Sequence, residues 1–194
     1  MKKDIILAGV GGQGILSIAA SIGLAAVDAG LFLKQAEVHG MSQRGGAVQS
    51  NLRLSDKSIA SDLIPYGQAD MIISVEPMES LRYLPWLAKQ GWIITNSTAF
   101  TNIPDYPKKE DIISEIKKHK NHIIIDADHI AKEIGSVRSA NMVILGAAIP
   151  YLGMEHKYFE QAIQKLFGSK GEKVVELNME AMRAGEAFAK EYRK

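Results

Sequence analysis

The segment Asp4-Ile5-Ile6-Leu7-Ala8-Gly9-Val10-Gly11-Gly12-Gln13-Gly14 joins a short apolar run to a glycine-rich turn, and Ile15-Leu16-Ser17-Ile18-Ala19-Ala20 follows with a helical pattern. An apolar run without polar alternation suits a strand buried on both faces, as in a layered α/β domain. Glycines permit a tight strand-to-helix turn and let the backbone approach a bound group. The free N–H groups and positive dipole end of a helix N-terminus favour an anion there. Gly9, Gly11, Gly12, Gln13 and Gly14 are therefore candidate contacts for a phosphate or carboxylate. The alternative is a closely packed turn that binds nothing.

Outward from this segment the same alternation continues. Strands are expected at 4–8, 32–37, 47–54, 71–75, 92–95 and 122–126, each bounded by glycine, proline or polar turn residues. Helices are expected at 14–29, from Glu76-Pro77 to about Lys89 with Pro85 as interruption or end, at 108–118, at 128–134 with Asp128 as N-cap, and at 141–152. The expected fold class is α/β, a three-layer α/β/α sandwich with a Rossmann-like, mostly parallel sheet, in a single domain over 1–194. From Met154 only helical spacing remains, so 154–194 forms a helical C-terminal segment and a candidate arm. Tyr158, Phe159, Ala162, Ile163, Leu166 and Phe167 precede Gly168-Ser169-Lys170-Gly171, and a second helix carries Val174, Leu177, Ala181, Met182, Gly185 and Phe188.

Composition limits the function classes. Lys plus Arg number 23 against 22 Asp plus Glu, a formal net charge of +1 over 194 residues, which gives no electrostatic reason to expect nucleic acid or an acidic membrane as partner. The chain has no cysteine, which removes disulfides, thiolate nucleophiles, zinc ribbons and iron–sulfur clusters ligated in the usual way. With no segment suited to a signal peptide or membrane span, a cytoplasmic protein is expected. Asp126-Ala127-Asp128-His129 carries metal-capable side chains, but neighbours at a strand end seldom converge on one ion, so no metal is expected. No Gly-x-Ser-x-Gly elbow supports a hydrolase, and no catalytic residue is assigned.

A dinucleotide-binding fold would place an acidic residue roughly 20 residues beyond the glycines, at the end of the second strand, to hold a ribose hydroxyl. Glu37 lies near that place. The chain then enters a second loop, His39-Gly40-Met41-Ser42-Gln43-Arg44-Gly45-Gly46, and another strand instead of a helix, which weakens the nicotinamide reading. Glu37, His39, Ser42, Gln43, Arg44, Gly45 and Gly46 form the second set of candidate binding residues. Arg44 offers a planar fork to a carboxylate or phosphate, or a salt bridge within or between subunits. His39 is a proton carrier or a hydrogen-bonded structural histidine.

These two loops, with the stretch Ala69-Asp70-Met71-Ile72-Ile73-Ser74-Val75-Glu76-Pro77, with Asn141 and Gly146, and with Asn178, Ala181 and Gly185 in the last helix, resemble the gamma-type domain of 2-oxoacid:ferredoxin oxidoreductases. The resemblance covers nearly the whole chain. His-Gly-Met-Ser-Gln-Arg-Gly-Gly looks most like the indolepyruvate, or aryl-pyruvate, type and its small beta subunit. The resemblance implies a chain that assists oxidative decarboxylation of a 2-oxoacid to acyl-coenzyme A and is inactive alone. Thiamine diphosphate and iron–sulfur clusters would sit on a larger partner subunit, ferredoxin would be reached only through that partner, and a contact to coenzyme A by this chain stays open. The other reading is a stand-alone nucleotide- or coenzyme A-binding module without redox activity of its own.

Overall fold

A computed structural model describes residues 1–39, 45–101 and 103–192. Its six strands are β1 (Lys2–Val10), β2 (Phe32–His39), β3 (Ala47–Ser55), β4 (Ala69–Ser74), β5 (Leu87–Asn96) and β6 (His122–Ile125), in the sheet order β2-β3-β1-β4-β5-β6. β1, β4, β5 and β6 pair in parallel. β3 runs against both β1 and β2, so β2 shares the direction of β1 and β3 alone opposes the rest.

Successive side chains of a strand face opposite ways, and here both faces are buried. Ile5 and Leu7 of β1 join Met71 and Ile73 of β4 and Ile94 of β5 in one core. Ile6 and Ile72 point to the other side with Tyr83, and Ile93 lies there with Ile112 and Ile116. This double burial is the physical reason that β1, β4 and the end of β5 read as apolar runs without alternation, while β2 at the sheet edge stays largely exposed.

Helices cover the two faces. α1 (Ile15–Asp28), α5 (Ala140–Leu152), α6 (His156–Phe167) and α7 (Glu172–Tyr192) pack on the first, and α2 (Pro77–Arg82) and α3 (Lys109–Lys117) on the second. α4 (Ala127–Glu133) follows β6 on the first face. The β1-α1-β2 connection therefore lies on one face and moves one way along the sheet, while β4-α2-β5 lies on the other face and moves the opposite way. Crossovers of one hand on opposite faces leave a crevice beyond the carboxyl ends of the strands where the order reverses, between β1 and β4.

The structure corrects three expectations. The helix from Pro77 stops at Arg82, a 3₁₀ turn at Leu84–Trp86 carries Pro85, and Leu87 already begins β5. Pro85 has no N–H to continue a helix, and Leu87 is one of the apolar residues that pack beneath α2 and α3. The N-cap of α4 is Asp126, whose carboxylate accepts from the His129 N–H at 3.0 Å, and not Asp128. Finally, the C-terminal helices do not extend as an arm. A Cβ added to Gly146 of α5 would fall 1.9 Å from the Met182 carbonyl oxygen, and one added to Gly185 of α7 would fall 1.9 Å from that of Val143. Two glycines thus let α7 lie backbone to backbone on the most buried helix of the molecule.

Candidate functional site

A cavity of about 660 Å³ opens at the crevice. Gly12, Gln13 and Gly14 beyond β1 form one side, Val75 beyond β4 another, and Asn96 at the end of β5 a third. Gly14 is the N-cap of α1 with φ +82°, a left-handed conformation that glycine adopts without strain, and no side chain caps the helix. Gln13 turns back on the loop, its Oε1 accepting from the Val10 N–H at 2.8 Å. The first turn of α5 with Asn141 and the first two turns of α7 with Val174 and Asn178 complete the wall.

Three helix N-terminal regions thus border one space, and each helix turns the positive end of its dipole that way. Arg138 and Lys170 add two cations to the lining, and neither forms an ion pair among the described residues; Lys170 Nζ rests 5.2 Å from the centroid of the Phe167 ring. An arrangement of this kind attracts an anion. No group of three or more potential metal ligands occurs among the described residues, and no helix among them is long and apolar enough to cross a membrane.

The opposite wall is the loop that leaves β5. Asn96 fixes its start: Oδ1 accepts from the N–H groups of Thr98 at 3.3 Å and Ala127 at 3.1 Å, while Nδ2 donates to Asp128 Oδ2 at 2.7 Å. The buried carboxylate of Glu76 fixes the next part. It caps α2 by accepting from Glu79 N–H at 2.9 Å, and its other oxygen accepts from Phe100 N–H at 3.3 Å and from the Tyr106 hydroxyl. Burial, reinforced by that bond to Glu76, pushes the Tyr106 phenol above its ordinary range. Thr98, Ala99 and Phe100 are thereby presented to the cavity.

The sequence-derived candidates divide into three sets. Gly12, Gln13 and Gly14 line the cavity. Gly9 sits behind it, where an added Cβ would fall 2.3 Å from Val75 Cγ2, and Gly11 joins the two loops by donating its N–H to Gly46 at 2.8 Å while Gly45 donates to Gly11 at 3.4 Å. Glu37 pairs with Ser50, which places it beyond β3, two strand spacings or roughly 10 Å from β1, on the face covered by α1. His39 ends β2 opposite Val48. Ser42, Gln43 and Arg44 lie outside the described residues. Sequence reading gave no binding role to Asn96, Arg138 or Lys170. The only available signals were a polar residue closing an apolar strand and two basic residues just before helix starts.

A family model described as pyruvate ferredoxin/flavodoxin oxidoreductase matches residues 4–188. The chain belongs to this family. Its resemblance to the gamma-type domain of these oxidoreductases, read from the two loops, is borne out. The indolepyruvate oxidoreductase subunit IorB of Archaeoglobus fulgidus is 38% identical over 196 residues, covering 95% of this chain and 94% of that protein. The subunit of the same name from Pyrococcus horikoshii is 36% identical, with 98% of each chain covered. Among solved structures, the 2-oxoglutarate:ferredoxin oxidoreductase of Magnetococcus marinus, with 2-oxoglutarate, coenzyme A and succinyl-CoA bound, superimposes with a TM-score of 0.79 at 25% identity. That match covers 98% of this family member and 31% of the other chain, so the present chain corresponds to less than a third of that polypeptide. The gamma subunit of a keto/oxoacid ferredoxin oxidoreductase from Geobacter sulfurreducens shares the fold, with a TM-score of 0.73 at 24% identity.

Proposed function

We propose that this chain is the small, cluster-free subunit of an indolepyruvate-type 2-oxoacid:ferredoxin oxidoreductase, and that its cavity receives the anionic part of coenzyme A. The observation that carries the subunit assignment is the end-to-end correspondence with indolepyruvate oxidoreductase subunits from two organisms, at 38% and 36% identity. Iron–sulfur clusters are held by cysteine thiolates, and the chain has none, so its residues do not fit the clusters and the electron path belongs to a larger partner that also carries thiamine diphosphate. Thiamine diphosphate supplies the carbanion chemistry of 2-oxoacid decarboxylation. This chain supplies a rigid wall: helix N-termini and unpaired cations that bind and orient an anion, with a carboxylate-anchored loop facing them. Supporting the coenzyme A reading is the cavity itself, whose donors match phosphate groups and whose position beyond β1 and β4 is where open α/β sheets bind ligands.

Co-expression with a thiamine-binding, cluster-bearing partner tests the assignment. The expected result is coenzyme A-dependent reduction of ferredoxin or a dye with indolepyruvate only when both chains are present. Partner activity unchanged by this chain would overturn it, and a nucleotide- or coenzyme A-binding chain that forms no such complex would be a stand-alone module.

A further inference from the structure

Among the described residues, Asp128 is the one carboxylate on a cavity otherwise furnished for anions. A carboxylate there repels a phosphate, so its place needs a reason. Helix capping is not the reason, because Asp126 caps α4. Asn96 holds Asp128 in place through Nδ2, and Asn96 is itself saturated, with two N–H groups on its Oδ1 and the Val75 carbonyl 3.5 Å from its Nδ2. Only Oδ2 of Asp128 is engaged, and its Oδ1 accepts no hydrogen bond from the described residues. Asn178, also on the cavity wall and only 7% exposed, repeats the pattern: Nδ2 donates to Val174 at 2.7 Å, and Oδ1 is unpartnered among the described residues.

Two acceptors with spare capacity therefore stand within an arrangement of donors and cations. We propose that Asp128 is the specificity-determining acceptor of this cavity, selecting a ligand that joins its anionic groups to hydrogen-bond donors, as a ribonucleotide does through its hydroxyls or exocyclic amine, over a bare polyanion. This inference rests on the anion-binding reading of the cavity given above. Asp128 stands where the second strand's Glu37 does not reach, and it provides the acceptor that a ribose requires in dinucleotide folds.

The test compares adenosine diphosphate with inorganic pyrophosphate, by calorimetric titration of the full 194-residue chain and of Asp128→Asn. The substitution can keep the bond from Asn96 while turning the other atom from acceptor to donor, and it removes the repulsion of phosphate. The expected wild-type result is adenosine diphosphate binding about tenfold or more tighter than pyrophosphate, in line with hydrogen bonds to charged groups. In Asp128→Asn that preference collapses by a similar factor, while pyrophosphate binds equally or more tightly. Equal wild-type affinities for the two probes, or an unaltered preference in the variant, overturn the inference and leave the anion site standing. A wild-type chain that binds neither probe overturns both readings. The wild-type comparison decides even where the variant does not fold.

Discussion

Asn141 on α5 donates its Nδ2 to the Gly14 carbonyl at 3.1 Å, which ties the N-terminus of α5 to that of α1 at the edge of the cavity. The approach leaves no room for a side chain, since a Cβ on Gly14 would fall 2.4 Å from that nitrogen. Gly14→Ala adds the cost of a left-handed backbone at φ +82° to this clash. A loss of at least about 2 kcal/mol is expected, a fall in Tm of roughly 4–8 °C for a chain of this size. Weaker coenzyme A binding should accompany it. A Tm within 1 °C of wild type would show that the loop accommodates the side chain freely.

Gly146 and Gly185 set a harder limit, because the obstacle to each is the facing helix backbone and not a movable side chain. Gly185→Ala is expected to cost about 3 kcal/mol or more, at the upper end of overpacking, since α5 and α7 must separate along their contact. Urea denaturation measures it, with the midpoint shifting and the slope retained. A loss below 1 kcal/mol would mean that the helices slide apart at little cost. Gly185→Ser should be at least as damaging.

Much of this architecture was legible because burial on both faces leaves a clear mark in sequence. Strands β1, β4, β5 and β6 lie at apolar runs such as Met71-Ile72-Ile73 and Ile123-Ile124-Ile125, whereas β2 and β3, at and beside the sheet edge, are mixed in character and are marked by the turn residues that bound them. The glycine loop was legible because its strand-to-helix context is local. What was not legible depends on contacts distant in sequence. Leu87 belongs to a strand only because β4 lies beside it, with Ala69 opposite. Asp126 and Asp128 are equivalent as letters, and the exact end of β6 decides which of them caps α4. Arg138, Lys170 and Asn178 meet Gly12 only after α5 and α7 pack, so no spacing rule could bring them together.

Asp4 and Arg53 offer a pH test. Asp4 is fully buried on β1, and Arg53 reaches it across the β1–β3 pair with Nε 2.7 Å from Oδ1 and Nη2 3.0 Å from Oδ2. Burial raises the carboxyl pKa, but the bonds from Arg53 and Lys2 more than offset it and hold the group below the usual carboxylate range. A depressed folded pKa stabilises above the unfolded value of about 3.9, and the contribution is lost as pH falls through the folded value. Arg53→Met leaves the carboxylate buried with one partner fewer, at an expected cost of about 3 kcal/mol at pH 7. Melting from pH 7 to 4 should narrow the gap to wild type, because the variant gains by protonating Asp4. A gap independent of pH would remove Asp4 as the cause.

The bond between Tyr106 and Glu76 gives the alkaline counterpart. Tyr106→Phe removes the hydroxyl donor from a carboxylate that is buried and also caps α2, leaving the Phe100 N–H as the one remaining donor to that oxygen among the described residues. The expected cost is about 1.5–3 kcal/mol, the range for hydrogen bonds to charged groups. Its pH dependence separates it from lost packing, since phenylalanine retains the ring. The Tyr106 phenol is raised in the folded state, so its contribution is complete below the unfolded value of about 10 and declines as pH rises towards the folded value. Wild-type Tm should therefore fall more steeply above pH 10 than that of Tyr106→Phe, and the two curves should converge. Because Phe100 lies on the cavity wall, the variant should also raise KM for coenzyme A in the assembled enzyme with kcat little changed. Parallel Tm curves would assign the loss to packing, and an unchanged KM would detach the loop from ligand binding.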